Sequence, residues 1–546
     1  MKRSTLRGAA GVSALVMFTA LGFSANAGAV SSVRDINEQP VSALKQGGTF
    51  TYAINSLPDN FNNSTIDGNT ADTSYIMGPT QPGAFMVDEN GKFAVDTNYV
   101  TKAVVTSKNP EIITYTLNPK AVWSDGKAVG LADWVGMWKA NNGTDTTYDA
   151  VSTSGYEDIS SVKAGGTNEI VVTFKKIYAD WQGLFGGILP ASMTATSAAY
   201  NKNWLTKPDV SAGPFKYSSM DTTAGTVTLV QNPTWWGDKP VLDKIIFRAV
   251  DPANQLDALK NGEVDYIDIG PSAPQYKLAK EMSGVTVHTA KAPNFRHVTF
   301  GQKDAPMKNV LVRQAIMLAM DRSVVAKALM GPIIPNVQTL DNHIFVGGVA
   351  GNQDNTSGLG KHNLAQAKGK LALAGYHGVP AKDASGKALT LSITIPSGVP
   401  TSASEAALIQ SSLKEAGITL TINVVPLGDF FAKYINVGDF DLTVFTWVGT
   451  ALPISSAVGI YKTDGPQNYG GIGSAAIDAL LEKANSTLDQ AKRVIYANQA
   501  DALIWKIGHS VTNYQRPNNT VTKSTVANMG SFGFTSGDWT KVGFVK

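Results

Sequence analysis

The chain has 546 residues, more than one hydrophobic core normally serves, so we expect two or three domains. Hydrophobic residues make up 43% of it and charged residues 16%, which is typical of a globular protein and excludes a disordered one. The net charge is +3, but Lys2, Arg3 and Arg7 lie in a predicted targeting segment, and the rest of the chain has 43 basic and 43 acidic residues. This balance gives no electrostatic support for a nucleic-acid partner.

The N-terminus has the three parts of a secretory signal. An apolar run at residues 11–23 follows the basic residues, and Ala25, Asn26 and Ala27 form a small-residue cleavage site. We therefore predict a signal peptide at residues 1–27 and export of the mature protein. The alternative is a membrane anchor, but the apolar run is shorter than the roughly 20 residues that span a bilayer.

The chain has no cysteine, so its stability depends on its core and it has no thiol for a lipid anchor. We expect a protein that is periplasmic, or extracellular and associated with the cell surface. Residues 28–46 are small and polar, and this composition predicts a flexible leader.

In the first half of the chain, apolar alternation predicts strands, and one segment has helical spacing. The predicted strands lie at residues 47–54, 112–117, 170–174 and 211–217. Leu131, Trp134, Val135 and Trp138 recur on one face of a helix. A turn-rich loop at residues 57–63 follows the first strand.

Residues 244–269 predict a β-α-β unit. A β-branched strand at 244–250 is followed by Asp251-Pro252, a helix start, and Asn261-Gly262 ends that helix before a second strand at 264–269. Asp265 and Asp268 have an odd spacing, which places them on opposite faces of the strand and argues against a catalytic pair.

Trp235 and Trp236 precede this unit. We interpret them as core packing, because large aromatic residues are mostly buried; the alternative is a stacking platform for a ligand.

The second half alternates strands with helices, and this order predicts a second α/β lobe with parallel strands. The predicted helices are a stretch from about 312 to 331, then 404–417, 430–435, 474–485 and 489–507. The predicted strands are 391–395, 418–424 and 442–448.

Catalytic and metal-binding patterns are absent from the sequence. The six histidines show no ligand spacing and there is no cysteine, which argues against a zinc or copper site but leaves a histidine nickel site open. Neither a GxSxG elbow nor a GxxxxGK[ST] loop occurs. We therefore expect no enzyme and no cofactor.

Two loops are candidates for ligand binding. Trp447 ends a buried-type strand and is followed by Gly449 and Thr450, and ligands of open α/β sheets bind at the carboxyl ends of strands. Asn468 and Tyr469 form a second polar and aromatic loop before a helix. The alternatives are a core tryptophan under a loop and a plain turn.

Asn55 and Phe61, in the segment after the first predicted strand, complete the set of predicted ligand residues.

Several segments, in order, resemble the family 5 extracellular solute-binding proteins, the peptide- and nickel-type receptors of ABC importers. The resemblance covers residues 47 to about 517 and rests on residues 47–54, 121–127, 211–215, 231–269, 308–321, 438–447 and 489–501.

The family implies a two-lobed, periplasmic-binding-protein-like α/β fold of type II, cluster C, with a hinge. It implies lobe I at residues 47–79 and 207–297, with an extra subdomain at 80–206. Lobe II is expected at 298–507, with a return to lobe I at 508–546.

One departure concerns the ligand. Dipeptide- and oligopeptide-binding members have an aspartate shortly after the tryptophan strand that pairs with the ligand ammonium, whereas residues 447–456 here contain no carboxylate. A buried ammonium needs a charged partner. Either another aspartate replaces it or the ligand has no free amine there. The loop resembles a Gram-positive branch of the family.

The resemblance implies a monomeric substrate-binding protein that captures a short peptide or similar small solute and delivers it to the permease subunits of an ABC importer. The alternative is a binding protein that regulates glycolipid biosynthesis in the cell envelope without transport.

Overall fold

A computed structural model describes residues 33–546 except positions 271 and 335. The predicted signal peptide and the first residues of the predicted leader lie outside the described residues. Within that part of the chain, no helix is both long and apolar enough to cross a membrane.

In the part of the chain that the structure describes, the strands form two main sheets, one smaller four-stranded sheet and three two-stranded pairs, and they are numbered along the chain. They are β1 Arg34–Ile36, β2 Thr49–Ile54, β3 Phe85–Val87, β4 Phe93–Val95, β5 Val100–Lys108, β6 Glu111–Leu117, β7 Ile159–Ala164, β8 Glu169–Phe174, β9 Phe215–Asp221, β10 Thr226–Gln231, β11 Lys244–Ala249, β12 Tyr266–Asp268, β13 Val285–Ala290, β14 Phe295–Phe300, β15 Thr390–Pro396, β16 Thr419–Val425, β17 Leu442–Trp447, β18 Ser510–Gln515, β19 Asn518–Lys523, β20 Val526–Ala527, β21 Gly530–Phe532 and β22 Gly543–Phe544.

The α-helices cover the sheets and carry ordinary capping signals. For example, Asp489 accepts a hydrogen bond from the backbone N–H of Lys492 at the start of the longest helix, and Gly508 ends it in the left-handed conformation. The helices are α1 Ala71–Met77, α2 Leu131–Asn141, α3 Ala191–Thr194, α4 Ser197–Lys202, α5 Gln255–Lys260, α6 Ala273–Glu281, α7 Val310–Ala319, α8 Arg322–Met330, α9 Leu364–Leu373, α10 Pro400–Glu415, α11 Pro453–Tyr461, α12 Ala475–Asn485 and α13 Gln490–Ile507. Residues Phe430–Ile435 form a short π-helix.

The first sheet has the strand order β13-β19-β12-β2-β11-β10-β9. The predicted β-α-β unit is present: β11 and β12 run parallel to β2, one on each side, with α5 between them in the chain. Trp235 and Trp236 pack against the same core, and their indole N–H groups donate to backbone carbonyls of Asp238 and Asn98, as the packing interpretation expects.

Between the early strands of this sheet, the chain forms the antiparallel sheet β5-β6-β8-β7 and the pair β3-β4, within the segment predicted as an extra subdomain. Its aromatic centre, Tyr115, Trp134 and Phe185, belongs to the same hydrophobic cluster as Phe50 and Phe247 of the first sheet. The segment therefore shares its core with lobe I.

The second sheet has the order β16-β15-β17-β14-β18. Its strands β15, β16 and β17 are parallel, as predicted, while β14 runs antiparallel to both of its neighbours. Helices α7, α8 and α10 contribute to one core with this sheet.

Strand pairing shows that the chain passes between the lobes at other residues than those predicted. The boundary predicted at residue 298 falls inside β14, and β18, predicted to lie in lobe I, pairs with β14 in the second sheet. The chain therefore crosses at residues 291–294 and again at 516–517. Apolar alternation shows that a strand forms but not which sheet it joins, which explains the error.

The described part of the predicted flexible leader is structured. Strand β1 pairs with β21 near the C-terminus, and Leu44 is fully buried against Val241 and Ala527. The polar composition of residues 28–46 gave no sign of these contacts, because the partner residues lie far away in the chain.

Candidate functional site

A cavity of about 370 Å³ lies between the two lobes, next to the crossing segments. Lobe I contributes Val33, Asn90 and Phe534 to its wall. Lobe II contributes residues 346–350 and 447–451, and the first crossing contributes residues 291–293. A ligand held there would touch both lobes at once.

Trp447 forms one side of this cavity and is only partly buried. Its indole lies between two rings: His297 at 5.5 Å between centroids and 18° between planes, and Tyr469 at 6.0 Å and 14°. Phe445 adds an edge-to-face contact at 5.1 Å. The stack fixes the indole orientation, so the side chain serves both the packing and the cavity wall.

The loop after Trp447 is held close to the first crossing. The N–H of Gly449 donates to Asn294 Oδ1 at 3.1 Å, and a Cβ on Gly449 would overlap the carbonyl oxygen of Pro293. Thr450 Oγ1 lies 2.8 Å from Ser456 Oγ and accepts from the N–H of Leu452, which shapes the turn before α11. Gly449 and Thr450 both line the cavity.

Asn468 and Tyr469 lie behind the side of the cavity wall that Trp447 forms. Asn468 Nδ2 donates to the carbonyls of Lys462 and Ile472, and its Oδ1 lies 3.2 Å from His509 Nε2, so its polar atoms brace the loop internally. Tyr469 supports the far face of the Trp447 indole, and burial raises the pKa of its hydroxyl to about 12.

The structure does not bring Asn55 and Phe61 to this cavity. Phe61 is fully buried in the core of lobe I, edge-on to Tyr217 at 5.7 Å, so its prediction as a ligand residue is wrong. Asn55 is exposed, but its Oδ1 accepts from Gln255 Nε2 at 3.1 Å, outside the cavity wall. Position after a strand did not distinguish these residues from core and surface positions.

Sequence analysis missed His343, which also lines the cavity. His343 Nδ1 lies 2.7 Å from Asp501 Oδ1, and Nε2 lies 3.1 Å from the carbonyl oxygen of Ser510. Both ring nitrogens therefore lie within hydrogen-bonding distance of oxygen atoms of the protein. Because 158 positions separate His343 from Asp501, no local pattern could reveal the pair.

Charge is distributed unevenly around the cavity. Among the described lining residues, Lys291 is the single lysine or arginine, and none is an aspartate or glutamate. Asp341 and Asp354 line an adjoining cavity of about 420 Å³, where Asp341 is paired with Arg322 at 2.7 Å.

Asp265 and Asp268 have separate structural partners. Asp265 pairs with Lys523, and Asp268 accepts two hydrogen bonds from Arg516. Among the residues that the structure describes, no cluster of three or more histidine, cysteine or acidic side chains could hold a metal ion.

Two α/β lobes joined by paired crossing segments, with a cavity between them, define a binding protein of the periplasmic type, which captures a ligand by closing two lobes around it. The chain belongs to the bacterial extracellular solute-binding proteins, family 5, whose model matches residues 97–469.

Relatives support this assignment over nearly the whole chain. The oligopeptide-binding protein OppA of Mycobacterium tuberculosis is 38% identical over 524 residues, which is 95% of this chain and 88% of OppA. The solved structure of the periplasmic EDTA-binding protein EppA is 27% identical, with a TM-score of 0.84 over 95% of this chain and 99% of that one. The structure of AppA from Bacillus subtilis was solved with a nonapeptide and is 18% identical to this chain. It has a TM-score of 0.81 over 92% of this chain and all of AppA, which shows the shared fold.

Proposed function

We propose that this protein is the substrate-binding protein of an ABC importer and captures a short peptide between its lobes. The observation that carries the proposal is the cavity bounded by both lobes, with Trp447 held rigidly in its wall. Its volume lies in the range of small-molecule sites. OppA, which matches almost the full chain, is an oligopeptide-binding protein.

The site suits an extended, mostly apolar ligand. Ile344, Val346, Val448 and Ile460 provide apolar surface, while Asn90, Thr450 and Gln515 provide a few polar groups. Peptide ligands commonly gain affinity from main-chain hydrogen bonds and specificity from side-chain pockets.

The protein would act without catalysis. Its family consists of binding proteins, and the histidine at the cavity has both nitrogens engaged. In this proposal a signal peptide exports the chain to the periplasm or cell surface, and the monomeric, ligand-bound form docks on permease subunits.

The alternative role, regulation of glycolipid biosynthesis, has less support. LpqW of Mycobacterium tuberculosis, a probable monoacyl phosphatidylinositol tetramannoside-binding protein, is 25% identical over 46% of this chain and 39% of LpqW. The match to OppA covers twice as much of the chain.

The test is to incubate the purified protein with a pool of random tripeptides, wash it, and identify the retained molecules by mass spectrometry. Retention of defined peptides, with a rise in Tm in their presence, is the expected result because a ligand that binds only the folded state stabilises it. Retention of no peptide, together with a glycolipid headgroup that raises the Tm, would contradict the proposal.

A further inference from the structure

Lys291 is a lysine of the cavity lining, and among the described residues no acidic side chain pairs with it. Its side chain is half-buried and lines both the interlobe cavity and the adjoining one. Within the described residues, Lys291 Nζ forms no ion pair and no hydrogen bond. A partly desolvated ammonium without a counter-ion is unfavourable, and an anion from outside would relieve this.

A glycine in the turn next to Lys291 makes space for the ammonium group itself. A Cβ on Gly348 would overlap Lys291 Nζ and lie 3.1 Å from Cε, so the missing side chain lets the ammonium approach the turn at 346–349. Gly348 adopts a φ of +85°, which also favours glycine. In the part of the chain that the structure describes, the N–H groups of Gly347 and Gly348 donate no hydrogen bond.

The rest of the cavity wall disfavours binding of a positively charged ammonium group of the ligand. Because the part of this wall that the structure describes contains no carboxylate, a ligand ammonium would find no charged partner among those residues. In the adjoining cavity, Asp341 forms an ion pair with Arg322, and Asp354 accepts two hydrogen bonds from Thr356.

We infer that Lys291 is the specificity-determining residue of the cavity, where it binds a carboxylate of the captured ligand, and that the cavity accepts ligands whose amino terminus is blocked. This inference rests on the proposed peptide-binding function. The carboxylate comes either from the C-terminus of a peptide or from an acidic side chain, and the apolar part of the ligand packs on the Trp447 side of the cavity.

The first experiment uses a small carboxylate and its amide. N-acetyl-leucine should raise the Tm of the wild-type protein more than N-acetyl-leucinamide at equal millimolar concentration, and Lys291→Met should abolish this difference. Lys102→Met is the matched control, since Lys102 is an exposed lysine outside the cavity lining, and it should behave as wild type. Equal shifts from acid and amide in the wild-type protein would overturn the inference.

The second experiment compares tripeptide pools with free ends, an acetylated N-terminus, an amidated C-terminus, or both. Amidation should weaken retention on the order of tenfold or more, as for loss of a charge-assisted hydrogen bond. Acetylation should change peptide retention less than about threefold, which is well below the effect of losing one charge-assisted hydrogen bond. Lys291→Met should remove the discrimination. If the amidated pool yields mainly peptides with Asp or Glu, the side chain supplies the carboxylate; without this enrichment, the C-terminus does.

The two proposals fail in different ways. Retention of no tripeptide in any form would contradict the peptide-binding function, and the N-acetyl-leucine comparison would still decide the role of Lys291. Retention that is indifferent to amidation and to Lys291→Met, or that is lost on acetylation, would overturn the inference and leave the peptide-binding function intact.

Discussion

At the scale of single residues, Trp447 both packs against neighbouring rings and lines the interlobe cavity. The flat stack with His297 and Tyr469 restricts the motion of the indole. Ligand binding would therefore cost little further conformational entropy at this side chain. Sequence analysis left open whether this tryptophan belongs to the core or to the site, and the two descriptions are compatible.

Replacing Trp447 by leucine should weaken binding of the tripeptide pool by about 1 kcal/mol, roughly fivefold, because an aromatic contact with the ligand is lost. Calorimetric titration measures this loss. Trp138→Leu is the control, because Trp138 is also a partly buried tryptophan but packs in the lobe I core. An equal loss of affinity in both variants would assign Trp447 to packing alone.

Asp72 near the start of α1 predicts a pH dependence of stability. Burial raises the pKa of its carboxyl to about 6, although the N–H groups of Asn55 and Ser56 donate hydrogen bonds that lower it. The pKa in the unfolded chain is about 3.9. The folded state therefore holds the proton more tightly, and the stability from this group is complete below pH 4 and is lost as the pH rises through 6.

Between pH 5 and pH 7, the wild-type protein should lose about 1 kcal/mol of unfolding free energy relative to Asp72→Asn, which does not titrate. Urea unfolding of both proteins at the two pH values measures this difference. The asparagine keeps an oxygen that can accept both backbone hydrogen bonds. Parallel pH profiles of the two proteins would show that Asp72 titrates normally.

At the scale of elements, the loop after β17 determines the shape of the cavity. It can approach the first crossing because Gly449 has no side chain: a Cβ would lie 2.7 Å from that of Pro293. The cavity-lining residues 447–451 thus lie directly against the segment that connects the lobes.

Gly449→Ala should force this loop away from the crossing, destabilise the protein by about 1–3 kcal/mol and weaken peptide binding. Gly428→Ala is the matched control, because a Cβ there would meet no atom within 4 Å, so its stability and affinity should match the wild type. Thermal unfolding and calorimetric titration report the two effects. Unchanged binding by Gly449→Ala would show that the loop does not position the ligand.

The sequence predicted the helices and strands better than it predicted which of them contact each other. Periodicity located the strands and helices around 244–269 and 391–507, because each depends on residues close in the chain. The sheet assignment of β18 and the burial of Phe61 depend on distant residues, as does the pairing of His343 with Asp501. The position of the Trp447 loop at the cavity was predictable, because ligands of open α/β sheets bind at the carboxyl ends of the strands.

At the scale of the whole molecule, the subdomain contacts lobe II at a second place besides the crossings. Asp180 forms a buried ion pair of 2.6 Å with Arg493 of α13, and the N–H of Ala179 donates to the carbonyl of Asn485 at 3.0 Å. Lys176 also pairs with Glu482. These contacts link the subdomain to lobe II.

Asp180→Asn should favour an open form without ligand, because closure would then bury the Arg493 charge without its partner. We expect a larger radius of gyration in X-ray scattering and weaker peptide binding, since closure becomes less favourable. Asp439→Asn, which removes an exposed ion pair with Lys303 inside lobe II, should change neither. Identical scattering curves for all three proteins would show that the Asp180 pair does not contribute to closure.

The pairing of β1 with β21 has a consequence for how the receptor is oriented on a cell. Val33, next to β1, lines the cavity. If the signal peptide is cleaved after Ala27, only five residues separate the new N-terminus from Val33, a reach of at most about 18 Å. Anything that tethers the N-terminus would therefore hold the cavity mouth close to the attachment point, whereas a long linker would release it.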